Sequence, residues 1–376
     1  MFEVKGNNGT AIVYQDRENV EEECVKQIQT VMDSEAVAGS EVRIMPDLHA
    51  GAGICIGFTQ KLADRVVPNF VGVDISCGML VARFDRKKAH ALFGNEMGLK
   101  RLDQIWHNEI PMGMNHRTSW HPFADNTHLE NLITPVNKDK LLLSVGTLGS
   151  GNHFAEFDVD ENGDYWFVVH SGSRHLGLEV ANHWQKIAKQ KHPDLPANLA
   201  YLEGDDMEGY LNDMKWAQEF AMWNREAMLD AIIRAFKLKK DVVEKFCTVH
   251  NYIDLDLRIV RKGSISLQKD EIALIPINMA YGSLIVKGKG NPDWNFSGPH
   301  GAGRVLSRRA ARETLKMEDF KQSMKGIYTT SVSSATIDES PMAYKPPQTI
   351  IENIGETCEI VNRIKPVWNV KAGADE

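Results

Sequence analysis

Asp74 and Cys77 lie three residues apart in VGVDISCGM, residues 71–79, between Gly72 and Gly78. The stretch reads as a short buried apolar strand that runs into a carboxylate and a thiol. A buried carboxylate is costly unless something positive pairs with it. A thiolate close by makes a metal ion the economical partner, because both groups ligate metals in their deprotonated forms. Taken alone, the pair is better read as a strand-ending turn, with Asp74 capping backbone and Cys77 serving as a small core hydrophobe. Four histidines shift the balance. His153 in SGNHF, His170 in VVHSGSR, His250 in TVHNY and His300 in PHGAGR each stand beside Gly, Ser or Asn at the end of an apolar run. One such histidine is usually a satisfied core residue. With Asp74 and Cys77, however, the four exceed what a single four-coordinate ion needs, and a two-metal site bridged by the Cys77 thiolate is the sharper reading. On softness grounds thiolate and imidazole favour zinc, iron or cobalt over manganese.

His300 differs from the other three. It precedes Gly301-Ala302-Gly303, which read as the opening of a helix whose N–H groups and dipole bind phosphate. Arg304, Arg308 and Arg312 follow at steps of four, on one helical face. A neutral imidazole beside such an anion site suits a nucleophile that attacks phosphorus. The bland counterpart is a solvated arginine face and a histidine in a turn. The chain has no G-x-x-x-x-G-K-[ST] loop, so a nucleotide would bind outside the P-loop manner. Lys287 and Lys289 in VKGKG read as a surface turn.

The elements that must position these groups show in the patterning. Residues 1–15 read as one or two strands around an N-N-G turn, and residues 19–33 have the apolar spacing of a helix. From 40 to 84 the pattern becomes short apolar runs broken by glycine, typical of buried sheet with tight turns. Residues 86–140 read as mixed helix and loop, with four histidines in 107–128, without fixed ligand spacing, on a surface loop that could line a site. Residues 141–157 and 165–177 return to strand and glycine. The longest helix spans about 205–236, its aromatic and Met positions forming a core-facing stripe. Sheet resumes at Phe246. Neither an internal repeat nor a linker divides the chain, so the fold expected is α+β, one large domain over residues 1–376 with central sheets and surrounding helices.

Composition narrows the function classes. The chain has 376 residues, 43% hydrophobic and 25% charged, with no apolar run near the eighteen or so residues of a membrane span. Its N-terminus lacks a signal-peptide pattern, and five scattered cysteines do not make a disulfide framework. The expected location is cytoplasmic, without membrane partners. A formal charge of -8 gives no general affinity for nucleic acid, so any polyanion needs a local basic patch.

The ordered motifs MPDLHAGAGICIG, VGVDISCGM, GTLGSGNHFAE, VVHSGSRHLG, VHNY, RKGS, PHGAGR and VKAG, spanning about residues 40–371, resemble the RtcB family of RNA ligases. The resemblance implies a GTP-dependent enzyme that joins an RNA 3'-phosphate or 2',3'-cyclic phosphate to a 5'-hydroxyl, in RNA repair or tRNA splicing. It implies that Asp74, Cys77, His153, His170 and His250 hold two manganese ions, and that His300 carries GMP as a phosphoramidate. It assigns nucleotide contacts to Asn152, His153, Phe154, Ala155, Glu156, His250, Asn251, the turn Pro276, Ile277, Asn278 and Met279, Ser283, His300, Gly301, Ala302, Gly303 and Lys371. Asp47, in PDLH, takes a supporting catalytic role near the metals. RNA and GTP are the implied partners, and a protein activator is compatible with the pattern.

Some residues depart from the family pattern. Cys55 stands where the family usually has proline, residues 276–279 replace a more glycine- and serine-rich turn, and Ser297-Gly298-Pro299 precedes His300 in place of a Cys-containing segment. These bear on nucleotide preference and substrate range, and fit a shorter, divergent branch. Two rivals share the ligand set: a two-metal phosphoesterase that opens cyclic phosphate ends without ligation, and a non-catalytic RNA-binding protein with a structural metal.

Overall fold

Two antiparallel-rich sheets carry the molecule, and their strand ends on one side face each other. The computed structural model describes residues 1–373. The larger sheet runs, edge to edge, through the strands Val242–Val249, Gly78–Phe84, Tyr165–Ser171, Phe154–Asp160, Cys358–Val370, Gly282–Gly288 and Ile272–Asn278, with Tyr328–Thr329 added in parallel beside Cys358–Val370. Its alternation is clear in Phe154–Asp160. Ala155 and Phe157 pack on the side of Trp106, Phe167 and Trp368, whereas Phe154 packs against Met79, Val168 and Ile364 on the other face. The sheet curls until its two edges approach, and Leu274 N–H donates to Thr248 Oγ1 at 2.9 Å across the gap. The smaller sheet has the order Phe2–Lys5, Thr10–Val13, Glu41–His49, Ile56–Lys61, Ile259–Lys262, Asn251–Asp254. This is the α+β arrangement of central sheets and surrounding helices that the patterning indicates.

The helix Gly204–Phe236 has 33 residues and at 1.5 Å per residue is about 50 Å long. Its apolar stripe, including Phe220, Met228 and Ile232, is buried as expected. The helix also buries the polar residues Asp213, Asn224 and Arg225. Asn224 Oδ1 accepts the N–H groups of Gly146 and Thr147, and its amide donates to Ser171 Oγ and the Gly172 carbonyl. Arg225 donates to the carbonyls of Ser76 and Ser171 at 2.7 and 2.8 Å. The helix therefore holds the loops that carry chemistry as well as filling the core.

Three local expectations are corrected. Residues 71–77 are a turn, and the strand starts only at Gly78. Gly72 (φ 91°) and Ser76 (φ 58°) take left-handed conformations that a strand excludes, and Val73 is half exposed. Gly301–Gly303 do not open a helix: the helix is Arg308–Thr314, capped by the Ser307 hydroxyl, and Arg304 lies outside it, bridged to Tyr344. No helix dipole is available at His300. Of the four histidines in residues 107–128, His107 ends the helix Glu96–Glu109 and His121 is buried, so they do not form one surface loop.

Candidate active site

Antiparallel register does the positioning. Gly78 pairs with Ser171 on one side and Val249 on the other, and His170 pairs with Phe154. Cys77 and His153 stand just before the start of their strands and His170 and His250 at or just after the end of theirs, so the antiparallel register brings all four to one rim of the curled sheet. Cys77 Sγ lies 3.1 Å from His170 Nε2 and 3.4 Å from His153 Nε2. His153 Nε2 is 3.0 Å from Asp74 Oδ2, and His170 Nε2 is 3.4 Å from His250 Nε2. Two donor groups result, Asp74–Cys77–His153 and Cys77–His170–His250, sharing the Cys77 sulfur.

The ring tautomers follow from the other nitrogens. His153 Nδ1 meets the Leu148 carbonyl at 2.9 Å and His170 Nδ1 meets the Asn152 carbonyl at 3.2 Å. A carbonyl only accepts, so both Nδ1 atoms carry the proton and both Nε2 lone pairs face the thiol, the usual way a protein orients a metal-bound imidazole. Burial drives His170 and His250 well below the ordinary histidine value, with neighbouring imidazoles adding to it. Burial opposes ionisation of Asp74, but His153 and Arg174 hold it down at about 2. Burial and the Asp74 carboxylate push the Cys77 thiol well above its ordinary range, so a thiolate here needs a cation. The cluster is also shaped for small neighbours, since a Cβ on Gly172 would sit 2.1 Å from Asp74 Oδ1. Imidazole nitrogens, a carboxylate and a thiol converging within reach of one another are a donor set that fits divalent metal.

His300 adjoins this cluster, its ring centroid 5.0 Å from that of His250. Asp47 lies 253 residues away in sequence and is fully buried. Its Oδ2 accepts the His300 backbone N–H at 3.1 Å and Nδ1–H at 2.7 Å. Asp47 thereby fixes the His300 tautomer with the Nε2 lone pair free, which is the arrangement a nitrogen nucleophile requires. Gly303 (φ 73°) permits the close approach, because a Cβ there would meet the Asp47 carbonyl oxygen at 2.6 Å.

A cavity of about 480 Å³ opens between the two sheet rims, and His170, His250 and His300 reach its wall. Asn152, Phe154, Glu156, Asn251, the turn Pro276–Ile277–Asn278–Met279, Ser283, Gly301–Gly303 and Lys371 also line it. Ala155 does not. It is fully buried on the opposite face of its strand, because adjacent strand residues alternate sides. His153, Cys77, Asp74 and Asp47 are not part of that lining. Lys287 pairs with Asp270 on the surface.

Sequence reasoning missed the acid that organises the basic groups. Glu339 Oε2 accepts from Lys371 Nζ at 2.9 Å and from the Tyr344 hydroxyl at 2.7 Å. Its Oε1 pairs with Arg304 and Arg308, while Asp338 pairs with Arg308 and Arg312. The three arginines do converge, then, but on this acidic pair from a loop and a short helix. Despite burial, Lys371 and Arg308 hold Glu339 at about 2. Glu156 behaves oppositely: burial lifts it to about 8, only partly offset by Asn369 and Lys371. Arg174, in the strained conformation φ 54°, His49 and Arg225 also went unnoticed. Only a basic residue inside the apolar stripe of a long helix hinted at Arg225.

Comparison with known proteins follows the same lines. The family model "tRNA-splicing ligase RtcB" matches residues 27–140 and 126–372. The chain is similar to RNA-splicing ligase RtcB1 of Escherichia coli strain ATCC 25922, 31% identical, with 88% of this chain and 90% of that protein aligned. It is 30% identical over the same shares to RNA-splicing ligase RtcB of Escherichia coli K12. Similarity to the tRNA-splicing ligase RtcB of Aeropyrum pernix is 26%, over 89% of each chain.

Proposed function

The chain belongs to the RtcB family, and from that premise we propose that it is an RNA ligase sealing a 3'-phosphate or 2',3'-cyclic phosphate end to a 5'-hydroxyl end, with GTP and two manganese ions. One observation carries the reading: two donor groups share one thiol, beside a histidine whose Nδ1–H is taken by a buried carboxylate. A structural metal has no use for the second feature, and a two-metal phosphoesterase that activates water directly does not need it.

A cyclic end is first opened by water, whose oxygen bonds to phosphorus as the P–O2' bond breaks, leaving a 3'-phosphate and a 2'-hydroxyl. The chemistry then runs in three transfers. His300 Nε2 attacks the α-phosphorus of GTP, an N–P bond forms, and the bond to pyrophosphate breaks. The Asp47 carboxylate, holding the Nδ1 proton, stabilises the positive charge that grows on the ring. An oxygen of the RNA 3'-phosphate then attacks the same phosphorus, and the N–P bond breaks with its electron pair returning to His300. Finally the 5'-hydroxyl attacks the RNA phosphorus and GMP leaves. A terminal phosphate alone is a poor electrophile because its leaving group would be oxide. GMP supplies a better one. Two cations, on Asp74–Cys77–His153 and Cys77–His170–His250, would neutralise charge on the phosphoryl oxygens. Lys371, Glu156, Asn152 and Ser283 are proposed to bind the guanine nucleotide from the cavity wall.

Residues 1–376 act as one ligase unit in this proposal. All five cysteines are unpaired, which suits a reducing compartment such as the cytoplasm, and among the described residues no helix is long and apolar enough to cross a membrane. The test is incubation with manganese and GTP labelled at the α-phosphate, beside a His300→Ala variant. Acid-labile label on the wild-type chain and none on the variant is expected. An unlabelled wild-type chain that opens cyclic ends would instead favour a phosphoesterase.

A further inference from the structure

Asp47 organises a second histidine as well. His49 Nδ1 lies 3.0 Å from the Asp47 backbone carbonyl. That oxygen accepts only, so Nδ1 carries the proton and Nε2 holds a lone pair. Among the described residues Nε2 makes no hydrogen bond, and His49 lines the same cavity as His300. The two rings are near parallel, 23° apart, with centroids separated by 6.4 Å. The hydrogen bond and ring contact of His49 are to Asp47 and His300, neither of which is among the five residues assigned to metal.

The three transfers differ in what they ask of a base. His300 attacks through a lone pair already free, and the RNA 3'-phosphate attacks through an oxygen already anionic. Only the 5'-hydroxyl must lose a proton as it attacks. On the ligase reading above, we propose that His49 is the general base of the joining step. The new O–P bond forms to the 5'-oxygen, the P–O bond to GMP breaks with its electron pair, and the hydroxyl proton passes to His49 Nε2 and then to water. The position suits the role, since the attacked phosphorus is one bridging oxygen from the phosphorus that had been bonded to His300.

Burial, with His300 and Lys345 nearby, pulls His49 down to about 4 in the free protein, so the ring is neutral before substrate arrives. Anionic phosphates entering the cavity favour the protonated form and move the group toward the range in which a general base works near neutral pH. Lys345 donates to the Leu48 carbonyl at 3.0 Å, and its ammonium is a positive neighbour of His49 with no lone pair to take a proton.

The test uses His49→Asn in the full chain, since an Asn amide can still donate to the Asp47 carbonyl while lacking the distal nitrogen, and His49→Gln as a second variant. Both are compared with wild type in labelling of His300, in transfer of GMP to an RNA 3'-phosphate, and in joining of pre-formed guanylylated RNA to a 5'-hydroxyl strand. Labelling and transfer within about threefold of wild type are expected, with joining slowed about 100-fold and guanylylated RNA accumulating. Joining at the wild-type rate overturns the assignment, as does an equal loss in all three steps, which would mark a structural role. No label on the wild-type chain would bring down the ligase reading itself, an outcome distinct from either.

Discussion

Replacing Asp47 with Asn tests whether its carboxylate, beyond its shape, makes His300 a nucleophile. In the wild-type protein one carboxylate oxygen takes both the His300 N–H and Nδ1–H, at 3.1 and 2.7 Å. When Nε2 bonds to phosphorus, the ring gains a positive charge centred about 4 Å from that oxygen, where an effective dielectric constant of about 20 gives about 4 kcal/mol of attraction. An amide keeps the size but loses that charge, so labelling of His300 by GTP should slow about 10³-fold, at 1.36 kcal/mol per tenfold change. If the amide nitrogen turns toward the ring, the proton moves to Nε2 and the loss approaches the 10⁴ seen for the analogous swap in a serine protease triad. Stability should hold or rise, because Asp47 is a fully buried charge whose Oδ1 has no partner. The assay is single-turnover labelling, run beside a thermal melt and a metal count. Labelling within threefold of wild type would refute the reasoning. So would a loss of bound metal that matched the loss of rate.

Arg225→Met should strip the Ser76 and Ser171 carbonyls of their buried donors. At roughly 1–3 kcal/mol for each stranded group, urea unfolding should shift by about 3 kcal/mol, and metal affinity should fall about 10- to 100-fold with the loosened turn. Gly172→Ala drives a methyl into Asp74 and should lower the metal count, read by elemental analysis, with less effect on stability. Glu339 is held at about 2, below its ordinary 4.5, so its ionised form stabilises the fold above pH 4.5 and that contribution disappears as the pH falls toward 2. Glu339→Gln should cost about 3 kcal/mol in urea unfolding at pH 7 and progressively less toward pH 3. Glu156 is raised instead, from 4.5 to about 8: the fold keeps its proton, and the penalty grows as pH rises between those values. Glu156→Gln should therefore gain stability relative to wild type at pH 8.5 and show little difference near pH 4.5.

The sequence alone determined the types of the chemical groups and their local settings. A histidine at the end of an apolar strand, a carboxylate and a thiol three residues apart between glycines and a core-facing stripe in a long helix are legible because each depends on near neighbours in the chain. Shared ligation of two donor groups by Cys77 was inferred from a surplus of ligands, and the register of the larger sheet is what brings those atoms within reach. Other features belong to tertiary structure alone. That Asp47 Oδ2 meets His300, and that the His49 ring comes to lie beside that of His300, depends on two segments some 250 residues apart closing against each other. Ala155 looked like a cavity residue because it stands between two that are, until the pleat sent its side chain to the other face. The glycines after His300 looked like a helix start, and the spacing of the arginines agreed. Their real partners, Asp338 and Glu339, come from another part of the chain. Spacing reports which side chains can share a face; only folding decides which charges end up buried together, because a buried charge must find its partner wherever the chain delivers one.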